Sequence, residues 1–144
     1  MITLLNTIAD VAQGLTAGTM FATNTGGTAE IVYHRFAMPP RSKTLVADIA
    51  PFCLVKARGF GIFPGRKQEI ELLFSLYNED RTAAMTDMGT LMTLLEPLAV
   101  RGQQYRGWKL SGIHGFAGDR DTGVQPHPEY YLTVLMDLIA PSIK

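Results

Sequence analysis

The first hydrophobic pattern along the chain has the spacing of a helix. Apolar side chains that recur every three or four residues are Ile2, Leu5, Ile8, Val11 or Ala12, and Leu15. Polar residues such as Asn6 and Asp10 lie between them, as on the solvent face of an amphipathic helix. The pattern predicts a helix over about residues 2–17, and Gly18 is a residue type that commonly ends one.

Later segments have the composition of strands, with β-branched and aromatic residues or an alternation of apolar and polar positions. They predict strands over 30–36, 52–57, 69–77 and 130–138, and a shorter strand over 108–113. The glycine-containing segments 23–28 and 115–123 are predicted to be loops, and 58–67 is predicted to be a turn or an extended hairpin tip. The turn at 58–67 would join two of the strands into an antiparallel hairpin. Residues 41–50 suit either a loop or a short strand.

A second helix is predicted after the hairpin, capped by Asn78 or Asp80. Its predicted buried stripe consists of Met85, Met88, Leu91, Met92, Leu95 and Leu98. Pro97 lies late in this pattern and should kink or end the helix. The order of elements predicts a single α+β domain over residues 1–144. We expect a mainly antiparallel or mixed β-sheet with two helices packed on one face.

Composition limits the classes of partner. The 144 residues carry 13 basic and 13 acidic side chains, so the net charge is zero. A dedicated nucleic-acid surface would need clustered Lys and Arg, and we therefore expect no sequence-specific nucleic acid partner. The N-terminus lacks the basic region of a signal peptide, and no apolar run approaches the roughly 20 residues that span a bilayer. We expect no membrane partner, and the single Cys53 fits a reducing compartment.

Candidate binding motifs do not match the spacing that their chemistry requires. The glycines Gly59, Gly61 and Gly65 fit neither a phosphate loop nor the dinucleotide fingerprint, and a strand rather than a helix is predicted after them. Asp119 and Asp121 alternate as in a calcium loop, but the remaining acidic ligands are missing. The sequence therefore predicts no cofactor.

Catalytic and metal-binding residues are also without partners in the sequence. His34, His114 and His127 are far apart, and none has a second ligand at zinc spacing. Cys53 and Ser75 fall inside predicted strands with no neighbouring base. We predict that the chain is not an enzyme and binds no metal. A small enzyme or ligand-binding domain, whose polar residues converge only in the fold, stays open as an alternative, as does a free-standing interaction module.

The order of several stretches resembles one family. Pro51 and Phe52 begin a strand that returns through 68–77, and a Leu-Leu-Glu run at Leu94, Leu95 and Glu96 follows in a helix. A His-Pro and aromatic segment at 127–131 precedes a last strand closing at 139–141. In this order, nearly the whole chain resembles the tail terminator and tail completion proteins of long-tailed phages, the family of the lambda-type minor tail protein. Pro97 inside the helix departs from the family pattern.

The resemblance implies a structural virion protein with no enzyme activity and no catalytic residues. Members form a hexameric ring on the head-proximal end of the tail tube, stop tube polymerisation and provide the surface for head-to-tail joining. The implied partners are other copies of the chain, the tail tube protein and a head-proximal connector or head-completion protein. DNA would pass through the ring lumen. The implied location is the neck region of the virion tail, assembled in the host cytoplasm. A head-completion or connector protein of the same virion is the alternative.

A ring subunit needs edges that contact its neighbours, and three segments were the best candidates: 26–33, 59–67 and 115–127. The predicted interface residues are Phe60, Ile62, Phe63, Arg66, Lys67, Asp119, Arg120 and Asp121. Apolar side chains in a projecting glycine-rich turn would be costly to leave in water, so we expect this turn to contact a neighbouring copy or the tube.

Overall fold

The longest strands of the chain lie side by side in one six-stranded mixed sheet. The structure is a computed structural model that describes residues 2–23, 27–36, 51–62, 65–76, 78, 80–100, 102–120 and 129–141. The helices are α1 (Ile2–Thr16) and α2 (Arg81–Leu94), and a short 3-10 helix, Glu96–Ala99, follows α2. The strands are β1 (Phe21–Ala22), β2 (Thr28–Ala29), β3 (Val32–Arg35), β4 (Phe52–Gly61), β5 (Lys67–Leu76), β6 (Gln104–Tyr105), β7 (Trp108–Arg120) and β8 (Glu129–Ile139).

The strand order in the large sheet is β3-β4-β5-β8-β7-β6. Only β3 runs parallel to its neighbour, with Val32 level with Phe52. All other neighbours are antiparallel, so β4 and β8 run one way while β5 and β7 run the other. The first two short strands form a separate hairpin. The predicted α+β fold with a mixed sheet is confirmed.

One face of the sheet forms the core. On β5, Ile70, Leu72, Phe74 and Leu76 are buried, and on β8 every second residue from Tyr130 to Leu138 is buried beside them. Leu4, Leu5 and Ile8 of α1 are also fully buried. The first helix contacts β3 and β4, and the second contacts β5 and β8. Because the apolar side chains of β5 and β8 alternate, they lie on one face of the sheet, and both helices pack on that face. The sequence predicts this arrangement.

Tyr33 links the edge strand to α1. Its hydroxyl lies 2.7 Å from the hydroxyl of Thr16 and donates a hydrogen bond to the carbonyl oxygen of Ala12 at 3.2 Å. Its ring meets Phe74 edge to face, with 6.0 Å between the ring centroids. Burial raises the pKa of Tyr33 well above its ordinary value of 10.0. The tyrosine therefore stays neutral in the folded protein.

The β4–β5 hairpin takes the extended form, one of the two that the sequence predicts for residues 58–67. Residues 58–61 and Lys67 lie in strands, and Arg58 is the extra residue of a bulge. The side-chain amide of Gln68 donates to the carbonyl oxygens of Gly59 and Glu69 at 3.1 and 3.0 Å, across and beside the bulge. The bulge absorbs one residue, and pairing continues to Gly61.

The loop predicted at 115–123 is partly wrong. Residues 115–120 belong to β7, because each of them pairs with a residue of β8 from Val134 back to Glu129. Glycines disfavour a strand by propensity, but a neighbouring strand in register supplies the hydrogen bonds that hold it. The loop predicted at 23–28 contains one residue of the small β1–β2 hairpin. Residues 41–50 lie outside the described part.

The second helix begins at Asp80, whose carboxylate accepts hydrogen bonds from the backbone N–H groups of Thr82 and Ala83 at 3.0 and 3.3 Å. It ends before Pro97, which lies in the following 3-10 helix. Both features were predicted. The predicted buried stripe is wrong at two positions, since the side chains of Met85 and Met92 are exposed. The helix packs over β8 and β5 and also contacts α1 and β1.

Tyr33 should make stability depend on alkaline pH. Below about pH 8 both Tyr33 and buried Cys53 are neutral in the folded and the unfolded chain, so their contribution is fully present. Above that pH the unfolded chain releases protons that the folded chain keeps, so the free energy of unfolding falls. We expect Tyr33→Phe to cost about 1 kcal/mol near neutral pH through lost hydrogen bonds, and less as pH rises through the tyrosine range. Urea unfolding of both proteins, at neutral pH and in the pH range where tyrosine ionises, measures the difference in their free energies of unfolding. An equal difference under the two conditions would contradict a neutral Tyr33.

Candidate assembly surface

The outer edge of β7 is largely unpaired. Strand β6 covers only its beginning, with Gln104 opposite Lys109 and Tyr105 opposite Trp108. Within the described residues, no strand pairs with the outer edge of β7 from 111 to 120. Such an edge presents backbone N–H and C=O groups that can pair with another strand.

The opposite side of the sheet has a second free edge. Strand β3 pairs with residues 52–55 of β4, and the backbone N–H of Phe36 donates to the carbonyl oxygen of Val55 at 2.8 Å. Beyond that point the described part of the chain places no strand beside residues 56–61 of β4. Within the described residues, the sheet therefore has an unpaired edge on each side.

A groove runs between α2 and the free edge of β7. We call it the methionine groove; its helix wall is Met85, Met88 and Met92, and its strand wall is Ile113, Gly115 and Ala117. It consists of two adjoining cavities of about 480 and 250 Å³ that share Met92. Met85 and Met92 are 65% and 49% exposed. Flexible thioether side chains suit a surface that packs against another protein.

Two small residues keep the groove open. Gly89 lies on its helix wall, and a Cβ at this position would meet no atom within 4 Å. Gly115 lies on the strand wall, where a Cβ would meet the carbonyl oxygen of Thr133 at 3.7 Å, an ordinary contact. Glycine in the interior of a helix costs roughly 1 kcal/mol relative to alanine. Packing inside the chain does not require glycine at either position.

Phe60 and Ile62 lie on the other free edge, and their side chains are 64% and 68% exposed. Phe60 pairs with Gln68, and Gln68 lies on the same face of β5 as the buried residues Ile70 and Leu72. The side chain of Phe60 is therefore on the face of the sheet that carries the helices. It lies beyond the helices and is left in water. Phe63 lies outside the described residues.

Arg66 and Lys67, the predicted basic pair, lie at the base of this hairpin turn. The guanidinium carbon of Arg66 is 5.9 Å from the ring centre of Trp108, and its carbonyl oxygen accepts from the N–H of Ala140 at 2.9 Å. Lys67 is the first residue of β5 and pairs with both Gly61 and Ile139. The base of the turn is therefore held against the ends of β7 and β8.

The structure does not bring the two predicted groups of interface residues together. Asp119 and Arg120 pair with Tyr130 and Glu129, at the opposite end of the sheet from Phe60. Asp121 lies outside the described residues. A ring subunit contacts two neighbours through different surfaces, so two separate groups are compatible with such a role.

The groups considered for chemistry are also apart. His34 is on β3 and His114 on β7, four strands away, and His127 lies outside the described residues. Among the residues that the structure describes, no three His, Cys, Asp or Glu side chains come close enough to hold a metal ion. Cys53 is fully buried, and burial raises the pKa of its thiol well above 9.0, which removes the reactive thiolate at neutral pH.

A buried carboxylate on the second face of the sheet has a structural explanation. Glu71 accepts a hydrogen bond from the guanidinium of Arg58 at 2.8 Å, and the amine of Lys56 is 3.7 Å away. The two cations compensate the buried charge, and Arg58 reaches it because it follows Lys56 by two residues and so lies on the same face of β4. This cluster holds the β4–β5 hairpin together.

Sequence reasoning did not identify the methionine groove. The spacing of Met85, Met88 and Met92 favours the core, although methionine faces also serve protein contacts, because helical spacing alone does not tell which side of an apolar stripe is covered. Two features of the sequence indicate the groove. The apolar stripe is wide, with six residues that include both Met85 and Met92, and Gly89 lies within it.

Comparisons with known proteins leave the family open. No family model matches the chain, and no curated protein matches it either. None of the helices in the described residues is long and apolar enough to cross a membrane.

Phe60 and Ile62 should contribute little to folding of the isolated chain. We expect Phe60→Ser to change the free energy of unfolding by less than about 0.5 kcal/mol, since its ring is mostly in water. Phe74→Ala, at a fully buried ring, should cost about 3–5 kcal/mol. Urea unfolding of both variants measures the contrast, and a large loss from Phe60→Ser would place its ring in the core.

Proposed function

We propose that this chain is a structural protein of a bacteriophage virion, the tail terminator, which forms a ring on the head-proximal end of the tail tube. The observation that carries the proposal is a pair of edges on opposite sides of one sheet, residues 56–61 of β4 and 111–120 of β7, beside which the described residues place no strand. Exposed apolar side chains accompany both edges. A chain with two different, unsatisfied edges can join copies head to tail.

Strand direction supports closure into a ring. A rotation about an axis roughly along the strands keeps the direction of every strand and the side of the sheet that carries the helices. Strands β4 and β7 run in opposite directions in one copy. Rotated copies would therefore place β7 of one beside β4 of the next in antiparallel orientation, the pairing that the rest of the sheet uses. Such heterologous contacts close when the rotation divides a full turn.

The resemblance to tail terminators supplies the more specific parts of the proposal. The ring contains six copies, stops addition of tail tube protein and offers its other surface to the connector or head-completion protein. DNA passes through the lumen, and the protein is part of the neck of the virion. No catalytic step is assigned to any residue.

The proposal predicts six-fold rings and tails of normal length. Electron microscopy of particles assembled with the intact chain should show rings at the head-proximal ends of tubes. Without the chain, tubes should be of irregular length and heads should not join. Rings located on the head side, with tube length unaffected, would favour the head-completion alternative instead.

The same assay separates a structural role from a chemical one. Alanine at His34, His114, His127, Asp119, Asp121 or Cys53, one at a time, should leave tail length and head joining unchanged. Loss of head joining by a folded variant at any of the histidine or aspartate positions would contradict a purely structural function. Circular dichroism of each variant provides the control for folding.

Charge on the hairpin turn should contribute to docking. We expect Arg66→Glu combined with Lys67→Glu to weaken assembly, and more so at low salt, because exposed charges are least screened there. Arg66→Gln is the matched control for loss of the contact with Trp108. Tail length and head joining as a function of salt measure the effect. Normal capping by the double variant at low salt would place the docking surface elsewhere.

A further inference from the structure

We propose that the methionine groove and the free edge of β7 receive the exposed end of β4, with Phe60 and Ile62, from a second copy of this chain. The inference rests on the proposed ring function and names the contact between its subunits. No strand in the described part of one copy pairs with either surface, and the two surfaces lie on opposite sides of the same sheet. No copy can therefore cover its own groove with its own hairpin.

The two surfaces match in face as well as in direction. Phe60 is on the side of the sheet that carries the helices, and the methionine groove is on that side too, between α2 and β7. Residues directly opposite each other in an antiparallel pair have their side chains on the same face. An incoming β4 strand would therefore direct Phe60 into the groove rather than away from it.

The register requires an offset between copies. Across the sheet of one copy, Phe60 pairs with Gln68, Gln68 with Leu138, and Leu138 with Leu110. Phe60 is therefore level with Leu110, next to the part of β7 that β6 already covers. An offset of about four residues, roughly 13 Å, would bring Phe60 opposite Gly115 of the neighbour. Strands that tilt relative to a ring axis produce offsets of this kind, as in closed barrels. An aromatic ring beside a strand glycine fills the space that the glycine leaves.

Filling the groove tests the contact without disturbing the fold. Gly89→Leu adds a side chain in the groove, and Gly14→Leu adds one on α1, and a Cβ meets no atom within 4 Å at either position. Both changes should raise the midpoint of thermal unfolding, because both improve a helix. Only Gly89→Leu should weaken self-association in sedimentation equilibrium, by about tenfold or more. Equal self-association of the two variants would overturn the proposal.

Cross-linking between copies tests the pairing itself. Chains carrying Phe60→Cys are mixed at increasing concentration with chains carrying Met92→Cys and treated with a short bis-maleimide. Native Cys53 is fully buried and does not interfere. A mixed dimer should form, but not from either variant alone, nor from Phe60→Cys mixed with Ile2→Cys, whose position on α1 is 65% exposed. The same yield from the Ile2 mixture would overturn the proposed contact.

The two levels of the proposal fail differently. Normal rings and capped tails from Gly89→Leu would reject the groove as the subunit contact and leave the tail terminator function standing. Specific linkage of positions 60 and 92 without any effect of the chain on tail length would support the contact and reject the function.

Discussion

The pairing of β5 with β8 is the interaction on which the rest of the structure depends. Ten consecutive residue pairs, from Lys67 with Ile139 to Leu76 with Tyr130, join the middle of the chain to its end. Both strands bury alternate side chains against the helices, so one ladder positions the core. Long-range pairing of this kind carries a loop-closure cost, which the buried apolar residues between the two strands and the helices offset. The remaining strands add outward on each side.

This central pairing also explains why the edges stay open. The helices cover the strands in the middle, since α2 contacts β5 and β8 and α1 contacts β3 and β4. Strand β7 lies one position beyond the reach of α2, which leaves the methionine groove between them. Hairpin β4–β5 likewise continues past the helices, held by the Gln68 amide and the Arg58–Glu71 ion pair. The exposed apolar residues thus result from strands longer than the layer that covers them.

The sequence predicted elements well and their ends poorly. Periodicity identified both helices and the long strands, and Asp80 and Pro97 marked the limits of α2. It failed at 115–120, because glycine lowers strand propensity locally while pairing with a distant strand decides the outcome. At 58–61 it left a turn and an extended hairpin open, and pairing with β5 selects the hairpin. Phe60 and Ile62 were identified as exposed apolar residues from their turn-like context. The groove was not, since no local pattern tells whether Met85 and Met92 face the sheet or the solvent.

Free strand edges are a hazard as well as a means of assembly, because unlimited pairing gives fibres. In the proposed interface the groove limits the pairing. Side chains alternate along a strand, so a slip of one residue would turn Phe60 to the face of the sheet that has no groove. Only registers that differ by an even number of residues keep the Phe60 side chain on the face of the sheet that carries the groove. Gly115 offers the space for it in one of these registers. A fixed register fixes the tilt between copies, and the tilt determines how many copies close the ring. In this arrangement the packing of one aromatic side chain sets the size of the assembly.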